Sequence, residues 1–503
     1  MKDFGSNNSK RTILTVVISV IIIISTAAVG VIGFLRPDAF KNSFSDSGNL
    51  DCAIKSSSNS ETVSENSDVM STESFTSSSK PESVSSEDYT STNPNQSVAS
   101  TDSSVENTSS QVSSSQPNSS IPSSSQSSSS GTVKPPAQSK SFVSAIWYSY
   151  GDLDFKSNYS YNTFKAKINK MFDDAVSLGN DAVICHVRPF ADAYYKSSLF
   201  PYSSYLTGTQ GKDPGYDPLE YMIEAAHSRG LQFHAWLNPY RISTSTDNPN
   251  KLSADHIAKR WWNDPDKKRN VLISGNGLYF NPTVPECRKL IIDGVREIVN
   301  NYDVDGIHID DYFYPTTDAE FDGIEYADYK ADGGVLSQAD WRRINVSTLI
   351  QGMYQAAHSK SGVVFGVSPS YSFDVNFNEQ YADLKHWMKT AGYIDYIVPQ
   401  IYFGYEHSLS KARYNNALNT WVTAPKLSSV KLYIGLGAYK IGTTDGGSDE
   451  WITDKELLAK QTFDAKVYGA DGIFIFNYST LFANTVQATA QRGNLKKALE
   501  SIK

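Results

Sequence analysis

The sequence of 503 residues has little cysteine and no excess of basic residues. Three cysteines are too few for a disulfide framework, and we expect Cys185 and Cys287 to be buried free thiols, with a disulfide between them as the alternative. Lys and Arg number 45 against 54 acids, and the net charge is −9. The sequence shows neither a basic stripe nor zinc-finger spacing. A nucleic-acid partner, which requires a basic footprint, is therefore not expected.

Residues 51–140 have almost no aromatic side chains. This stretch contains Phe75 and Tyr89 as its two aromatics, and 34 of its 90 residues are serine. Such a composition cannot supply a packed core. We therefore predict a disordered Ser-rich linker over residues 36–140 and one globular domain over residues 141–503. The net charge divides into +2 for residues 1–50, −6 for 51–140 and −5 for 141–503, so much of it belongs to the linker.

One long apolar run lies near the N-terminus. Residues 13–35 form an uncharged stretch of 23 residues, which is long enough to cross about 30 Å of hydrocarbon. Lys2, Lys10 and Arg11 precede it, which favours a cytoplasmic segment 1–12 and an exported C-terminal part. We expect a single-pass transmembrane helix that anchors the chain in the cell membrane, with the globular domain extracellular. The alternative is a signal peptide that is cleaved, which would leave the protein secreted.

From residue 142 onward, short apolar runs alternate with segments of helical periodicity. The predicted strands are 142–147, 182–188, 231–237, 306–310, 363–368, 394–403, 432–439 and 472–478, and the predicted helices are 161–178, 218–229, 285–301, 340–359, 379–390, 409–422, 453–468 and 491–502. This alternation favours parallel βαβ units, and eight of them fit an α/β fold, the (β/α)8 TIM barrel. An open doubly wound sheet is the alternative, but the first strand leads into no Gly-rich phosphate loop.

In such a barrel the functional residues lie at the C-terminal ends of the strands. Aromatic rings can stack on sugar rings, and amide and guanidinium groups can bind hydroxyls, so the polar and aromatic residues there predict a sugar site. The candidates for substrate binding are Arg188, His234, Trp236, Asn238, Arg241, His308, Tyr312, Gln400, Tyr402 and Asn477. Period-two alternation predicts that His186 and Arg188 share the interior face of their strand. Trp147, Tyr148, Tyr194, Tyr195 and Tyr314 are further aromatic candidates, about half of which we expect to be packing residues.

Two adjacent acids, Asp310 and Asp311, follow the fourth predicted strand. Adjacent carboxylates compete for ionisation, which can raise the pKa of one of them into the range of a general acid. We predict Asp310 as the general acid and Asp311 as its partner. A structural cap or a salt bridge to Arg188 or Arg241 is the alternative.

A conventional glycosidase also needs a second carboxylate across the scissile bond. Asp374 and Glu406, on loops after the fifth and sixth strands, are the candidates. A third route needs no protein nucleophile, because the carbonyl group of a 2-acetamido sugar can attack while one Asp protonates the leaving group and its neighbour orients the amide. His186, His234 and His308 could instead form a metal cluster. Since no strand carries two histidines at i and i+2, we expect no metal, and no cofactor is expected either.

Four stretches of the sequence indicate a family more specifically than the overall composition does. They are 186–241 (HVRPFADAYY and onward), 302–315 (YDVDGIHIDDYFYP), 341–346 (WRRINV) and 395–403 (DYIVPQIYF). Together they resemble the glycosyl hydrolase-like family 10 barrels, known also as family-10-like lipoproteins. The resemblance covers the whole globular part. It implies a (β/α)8 barrel that acts outside the cytoplasm on glycans, with members associated with cell-wall peptidoglycan.

The resulting hypothesis is a membrane-anchored extracellular glycosidase whose partner is a cell-wall polysaccharide. The pair of Glu residues that true family-10 xylanases place after strands 4 and 7 is missing, because the predicted strand 7 ends without an acid. The alternatives are a non-catalytic barrel that binds cell-wall glycan and a metal-dependent glycan deacetylase.

Overall fold

The computed structural model describes residues 142–503. The predicted N-terminal segment 1–12, anchor 13–35 and linker 36–140 lie outside the described residues. Within residues 142–503, no helix combines the length and the apolar character that a membrane crossing requires.

The strands form one closed barrel and one small sheet. In chain order they are β1 (Val143–Tyr148), β2 (Ala182–Arg188), β3 (Gln232–Leu237), β4 (Arg241–Ser243), β5 (Val271–Ser274), β6 (Gly277–Phe280), β7 (Gly306–Ile309), β8 (Val364–Val367), β9 (Tyr396–Ile397), β10 (Lys431–Gly437) and β11 (Gly472–Phe476). Eight of them are parallel and close in the order β1–β2–β3–β7–β8–β9–β10–β11, so each barrel strand lies beside the next one in the chain. The predicted (β/α)8 barrel is confirmed.

Helices cover the outside of the barrel. They are α1 (Tyr161–Leu178), α2 (Ser204–Thr207), α3 (Pro218–His227), α4 (Ile257–Trp262), α5 (Pro285–Asn301), α6 (Gly323–Ala331), α7 (Gln338–Ala357), α8 (Phe373–Asn378), α9 (Leu384–Lys389), α10 (Tyr414–Val422), α11 (Glu450–Thr453), α12 (Leu457–Val467), α13 (Tyr478–Leu481) and α14 (Val486–Ile502). The ends of α1 follow from its caps. Ser160 accepts a hydrogen bond from the N–H of Thr163 at one end, and Gly179, with φ of 94°, ends the helix in the left-handed region.

Alternation along each strand divides the core into two layers. Ile146 and Tyr148 of β1 belong to the layer between the strands and the helices. Ala145 and Trp147 point into the barrel, where they form an inner cluster with Trp236, Tyr402 and Phe476 among others. The interior of the barrel is therefore packed, and its upper layer is aromatic.

A chain of hydrogen bonds crosses the barrel interior below this aromatic layer. The indole N–H of Trp147 donates to Nε2 of His308 at 3.0 Å. Nδ1 of His308 lies 3.0 Å from the hydroxyl of Tyr396, and the same hydroxyl lies 2.9 Å from Nδ1 of His234. Burial lowers the pKa of His308 well below its usual value, so this imidazole is neutral. The polar groups of this layer are thus bonded to one another rather than to the pocket above.

The ring of Tyr396 fits into the barrel because position 366 is glycine. A Cβ atom at Gly366 would lie 2.0 Å from ring atoms of Tyr396. We expect Gly366→Ala to reduce the free energy of unfolding by about 1–3 kcal/mol or more, because the core is overpacked. Gly493→Ala is the control, since nothing lies within 4 Å of a Cβ atom there, on an exposed face of α14. This change should raise stability by up to about 1 kcal/mol. Urea unfolding measures the change in the free energy of unfolding for both variants. Equal changes would contradict the close packing of Tyr396 against Gly366.

The small sheet and strand β9 differ from the sequence-based expectation, whereas the two cysteines agree with it. A three-stranded antiparallel sheet, β4–β6–β5, is inserted after β3 and was not predicted. Strand β9 spans two residues instead of the predicted 394–403, and beyond it Gln400 forms isolated bridges with Ser370 and Gly435. Cys185 and Cys287 are buried free thiols, as expected.

Candidate active site

A pocket opens at the C-terminal ends of the barrel strands. It encloses about 470 Å³ of space, part of which is open to solvent. Its walls combine aromatic rings with a few polar groups and two carboxyls. The lining residues are Trp147, Ser149, Tyr150, His186, Trp236, Arg241, Asp310, Asp311, Tyr312, Ser368, Gln400, Tyr402 and Phe476.

Asp310 and Asp311 directly follow β7, and both are 3% exposed. Burial raises the pKa of Asp310 well above its usual value, and the adjacent Asp311 raises it further, against an opposing effect of Arg241. Burial also raises the pKa of Asp311, against opposing effects of Arg241 and Gln400. A carboxyl group that stays protonated near neutral pH can act as a general acid. Burial, rather than the adjacency of the two carboxyls, is the main cause of the raised pKa values.

Few hydrogen bonds satisfy this pair. The backbone N–H of Tyr312 donates to Oδ1 of Asp310 at 3.3 Å, and Nε2 of Gln400 donates to Oδ1 of Asp311 at 3.4 Å. Gln400 is itself held by a 3.0 Å bond to the carbonyl oxygen of Ser368. Oδ2 of Asp311 is buried and has no hydrogen-bond partner within normal geometry among residues 142–503. The side chains of Trp236 and Gln380 also interact with Asp310 and Asp311 respectively, and these interactions favour the charged carboxylates.

Stacked rings form the side walls of the pocket. The imidazole of His186 lies parallel to the indole of Trp236, with ring centres 3.5 Å apart. The guanidinium carbon of Arg241 lies 3.3 Å from the ring centre of Tyr312. Burial and the nearby Arg241 lower the pKa of His186 well below its usual value, so its ring is neutral. Such flat neutral and cationic surfaces suit the faces and hydroxyls of a sugar ring.

The pocket therefore brings together eight of the residues predicted for the sugar site. They are Trp147, Trp236, Arg241, Asp310, Asp311, Tyr312, Gln400 and Tyr402. His234 and His308 lie in the hydrogen-bonded layer within the barrel. Tyr148, Tyr194 and Tyr195 pack in the outer core.

Arg188 lies outside the pocket because β2 contains a bulge. His186 pairs with Trp236, but Arg188 pairs with Leu237, so one extra residue of β2 breaks the alternation. The side chain of Arg188 consequently lies on the helix side of the strand, where its guanidinium carbon is 4.7 Å from the ring centre of Phe200. The prediction that His186 and Arg188 share the interior face of their strand is therefore wrong.

Asn238 and Asn477 do not line the pocket either. The side-chain amide of Asn238 donates to the carbonyl oxygen of Pro189 at 3.0 Å. The side-chain oxygen of Asn477 accepts from the N–H of Thr480 and caps α13. Both amides thus stabilise the backbone next to the site.

The candidates for a second carboxylate also lie outside the pocket lining. Asp374 is exposed in the first turn of α8. Glu406 is exposed as well, and its backbone N–H donates to Oε2 of Glu450 at 2.7 Å. Among residues 142–503, the pocket-lining carboxyls are Asp310 and Asp311 alone.

The three histidines considered for a metal cluster do not converge. His234 and His308 share the hydroxyl of Tyr396, whereas His186 stacks on Trp236. Within the part of the chain that the structure describes, no group of three or more His, Cys, Asp or Glu side chains is placed to hold a metal ion.

Sequence reasoning did not single out Ser149, Tyr150 and Phe476, which also line the pocket. Ser149 and Tyr150 follow the last residue of β1, and Phe476 is the last residue of β11. Their positions at strand ends were the available signal.

Residues 143–453, more than half of the chain, match the family described as glycosyl hydrolase-like 10. The chain belongs to the glycosyl hydrolase-like 10 family. The four resembling stretches fall within the matched range.

The chain is also similar to two proteins that are named glycosyl hydrolases. The chain is 39% identical over 372 residues to the glycosyl hydrolase YngK of Bacillus subtilis, which covers 69% of this chain and 70% of that protein. It is 34% identical over 314 residues to the glycosyl hydrolase DigH of Escherichia coli K12, covering 57% of this chain and 69% of that protein. Among solved structures, the glycoside hydrolase domain of PgaB from Bordetella bronchiseptica aligns with 70% of this chain and 99% of that domain, at 11% identity and a TM-score of 0.45.

Proposed function

We propose that the protein is a membrane-anchored extracellular glycoside hydrolase that acts on cell-wall glycan, with Asp310 as general acid and Asp311 as its partner. The observation that carries the proposal is a pair of adjacent buried carboxyls with raised pKa values in an aromatic-walled pocket at the C-terminal end of the barrel. Membership of a glycosyl hydrolase-like family, with relatives named glycosyl hydrolases, supports the same reaction class.

The reaction we propose uses the substrate as its own nucleophile. Two carboxyls on opposite sides of the bond would be needed in a conventional mechanism, about 5–5.5 Å apart for retention or about 6.5–9.5 Å apart for inversion. The pocket offers an adjacent pair instead, while Asp374 and Glu406 lie outside its lining. The carbonyl oxygen of a 2-acetamido group on the substrate can act as the nucleophile in place of the missing second carboxylate.

In the first step this carbonyl oxygen bonds to the anomeric carbon as the glycosidic bond breaks. Asp310 gives its proton to the leaving oxygen, and Asp311 orients the amide group. In the second step water attacks the anomeric carbon, its proton returns to Asp310, and the ring formed by the acetamido group opens. The configuration at the anomeric carbon is retained.

Peptidoglycan supplies 2-acetamido sugars, which is why we favour it as the substrate. The apolar stretch 13–35 would anchor the chain in the cell membrane, and the Ser-rich linker would tether the barrel outside. A flexible chain of 90 residues has a root-mean-square span of roughly 50–60 Å. The barrel could then work at that distance from the membrane surface.

A second candidate is a barrel that binds cell-wall glycan without cleaving it. The specific observation in its favour is the lack of a carboxyl across the pocket from Asp310 and Asp311 among the described lining residues. The same observation supports the substrate-assisted route, so only an activity measurement separates the two.

The test is incubation of the full-length chain, in mild detergent, with isolated peptidoglycan. We expect the release of new reducing ends, together with retention of the protein on the insoluble material. Retention without reducing ends would replace the hydrolase with the non-catalytic barrel. Release of acetate that a chelator abolishes and a divalent metal restores would instead identify a deacetylase.

A further inference from the structure

Three neutral polar side chains of the active-site pocket have their protons bonded to other groups of the protein. Ser149 follows β1, Ser368 follows β8, and Gln400 lies beyond β9. All three line the pocket and are at most 9% exposed. Because β1 and β8 are four strands apart in a closed barrel of eight, Ser149 and Ser368 lie on opposite sides of the barrel mouth.

The side-chain amide of Gln400 has a fixed orientation. Its Nε2 donates to the carbonyl oxygen of Ser368 at 3.0 Å and to Oδ1 of Asp311 at 3.4 Å. An amide oxygen in this place would face two other oxygens, so the nitrogen and its two protons must lie here. Both protons are then used. Oε1, which can only accept, is the one polar atom of this side chain that remains for a ligand.

The two serine hydroxyls are fixed in the same sense. Oγ of Ser368 donates to the carbonyl oxygen of Val398 at 2.9 Å. Oγ of Ser149 donates to Oδ2 of Asp152 at 2.8 Å, and this carboxylate also accepts from the backbone N–H groups of Ser149 and Ser479. A hydroxyl group has one proton and two lone pairs. One lone pair of Ser149 accepts a long bond of 3.4 Å from the N–H of Asp152, and the other remains. Toward a ligand, both serines can therefore only accept.

We propose that Ser149, Ser368 and Gln400 are specificity-determining residues, which select glycan sugars with free hydroxyl groups and reject sugars on which those hydroxyls are acylated. The inference rests on the proposed function and deepens it by naming the substrate class, an unesterified glycan. A free hydroxyl can donate its proton to each of these acceptors. An ester has no proton to give, and its oxygens face the lone pairs of the protein.

The selection should be strong because the three acceptors are buried. A buried acceptor that loses its partner is costly, and sites built to bind a hydroxyl reject the analogue that lacks the proton. Arg241 and the tyrosine hydroxyls of the pocket can still donate. Sugar oxygens that only accept, such as the carbonyl oxygen of the acetamido group, therefore have partners elsewhere in the pocket.

Binding of fluorinated sugars tests the direction of these hydrogen bonds. The ligands are the methyl β-glycoside of N-acetylglucosamine and its 3-, 4- and 6-deoxyfluoro analogues, because fluorine is close to hydroxyl in size but cannot donate. Calorimetric titration uses the full-length Asp310→Asn chain, so that no ligand is cleaved. We expect at least one analogue to bind about tenfold more weakly than the parent sugar. Ser149→Ala, Ser368→Ala and Gln400→Met are added singly, and at least one of them should reduce this step to about threefold or less.

Ser359→Ala is the matched control. Its hydroxyl also donates to a carbonyl oxygen, that of Ala356 at 2.7 Å, but Ser359 is exposed and outside the pocket lining. This variant should keep the tenfold step. Thermal unfolding checks that each variant stays folded, which matters most for Ser368→Ala because its bond to Val398 is buried.

Hydrolysis tests the same selection on the polymer. Peptidoglycan whose free hydroxyls have been acetylated should release reducing ends at least about tenfold more slowly than untreated material when wild type is added, and mild alkali, which removes the esters, should restore the rate. If the glycoside binds too weakly to titrate, the rates on these materials decide. Equal rates on the two materials, analogues that all bind within about threefold of the parent, or a step that survives in all three variants refute the selection and leave the proposed function standing. If untreated peptidoglycan yields no reducing ends, the proposed function fails and the selection fails with it.

Discussion

Asp310→Asn is expected to reduce the release of reducing ends from peptidoglycan by about 10²–10⁴-fold, the usual contribution of a general acid. Asparagine has nearly the same shape but cannot protonate the leaving oxygen. The pocket should therefore still bind glycan, and the loss should appear in kcat rather than in KM. Initial rates of reducing-end release by wild type and variant at several glycan concentrations measure the effect.

Asp374→Asn is the matched control, because Asp374 is an exposed aspartate outside the pocket lining. It should leave the rate within about twofold of wild type. The pH profile adds a second check. Burial and Asp311 raise the pKa of Asp310, and the rate should fall as the pH rises through this raised value and the proton is lost. A variant that kept the wild-type rate would remove Asp310 from the mechanism.

The same substitution should also stabilise the fold at neutral pH. The pKa of Asp310 is higher in the folded than in the unfolded state, so the ionised form is disfavoured by folding. The stability of wild type therefore decreases as the pH rises from the unfolded pKa through the folded pKa. Asparagine has no charge to bury, so the variant avoids this decrease in stability. A substitution that raises stability and lowers activity is common at active sites.

Arg342→Met is expected to lower the free energy of unfolding by about 3–5 kcal/mol, because it leaves the carboxylate of Asp322 buried without its partner. Arg342 also bonds to Tyr381 and to the carbonyl oxygens of Thr317 and Asp318, so the loops after β7 and after α8 lose a common support. Urea unfolding of the full-length chain measures the change in midpoint.

Arg343→Met is the control at the neighbouring position. Its ion pair with Asp340 has one exposed partner, 52% accessible, and such pairs contribute about 0–1 kcal/mol. A loss close to 1 kcal/mol or less is expected there. Similar losses for the two arginines would show that the buried pair is not what supports these loops.

Element boundaries were predictable where local chemistry decides them. The helix over 161–178 was predicted to the residue, because a serine cap precedes it and a glycine ends it. The helix over 285–301 was also predicted to the residue, and Pro285 marks its first turn. The hairpin β5–β6 also carries a sequence signal, since Gly275 and Asn276 separate two apolar runs.

The composition of the pocket was only partly predictable. The acid pair was found because a short strand ends at Ile309 and Asp310 follows it. The position of Arg188 was not predictable. A single extra residue in β2 moves the side chain of Arg188 to the opposite face of the strand, and no residue type marks such a bulge. The distances of Asp374 and Glu406 from the pocket depend on loop paths, which periodicity does not determine. The contact of Arg241 with Tyr312 likewise joins β4 to the loop after β7, which are distant in sequence.

The hydrogen-bond chain below the pocket can have only one polarity. The indole nitrogen of Trp147 always donates, so Nε2 of His308 must carry a lone pair and its Nδ1 must carry the proton. That proton is donated to Tyr396, whose hydroxyl proton then faces Nδ1 of His234. Every donor points away from the pocket, and the direction cannot reverse without breaking the bond to Trp147. This chain therefore donates no proton toward the pocket, so the proton of the acid that we propose at Asp310 would come from the solvent side.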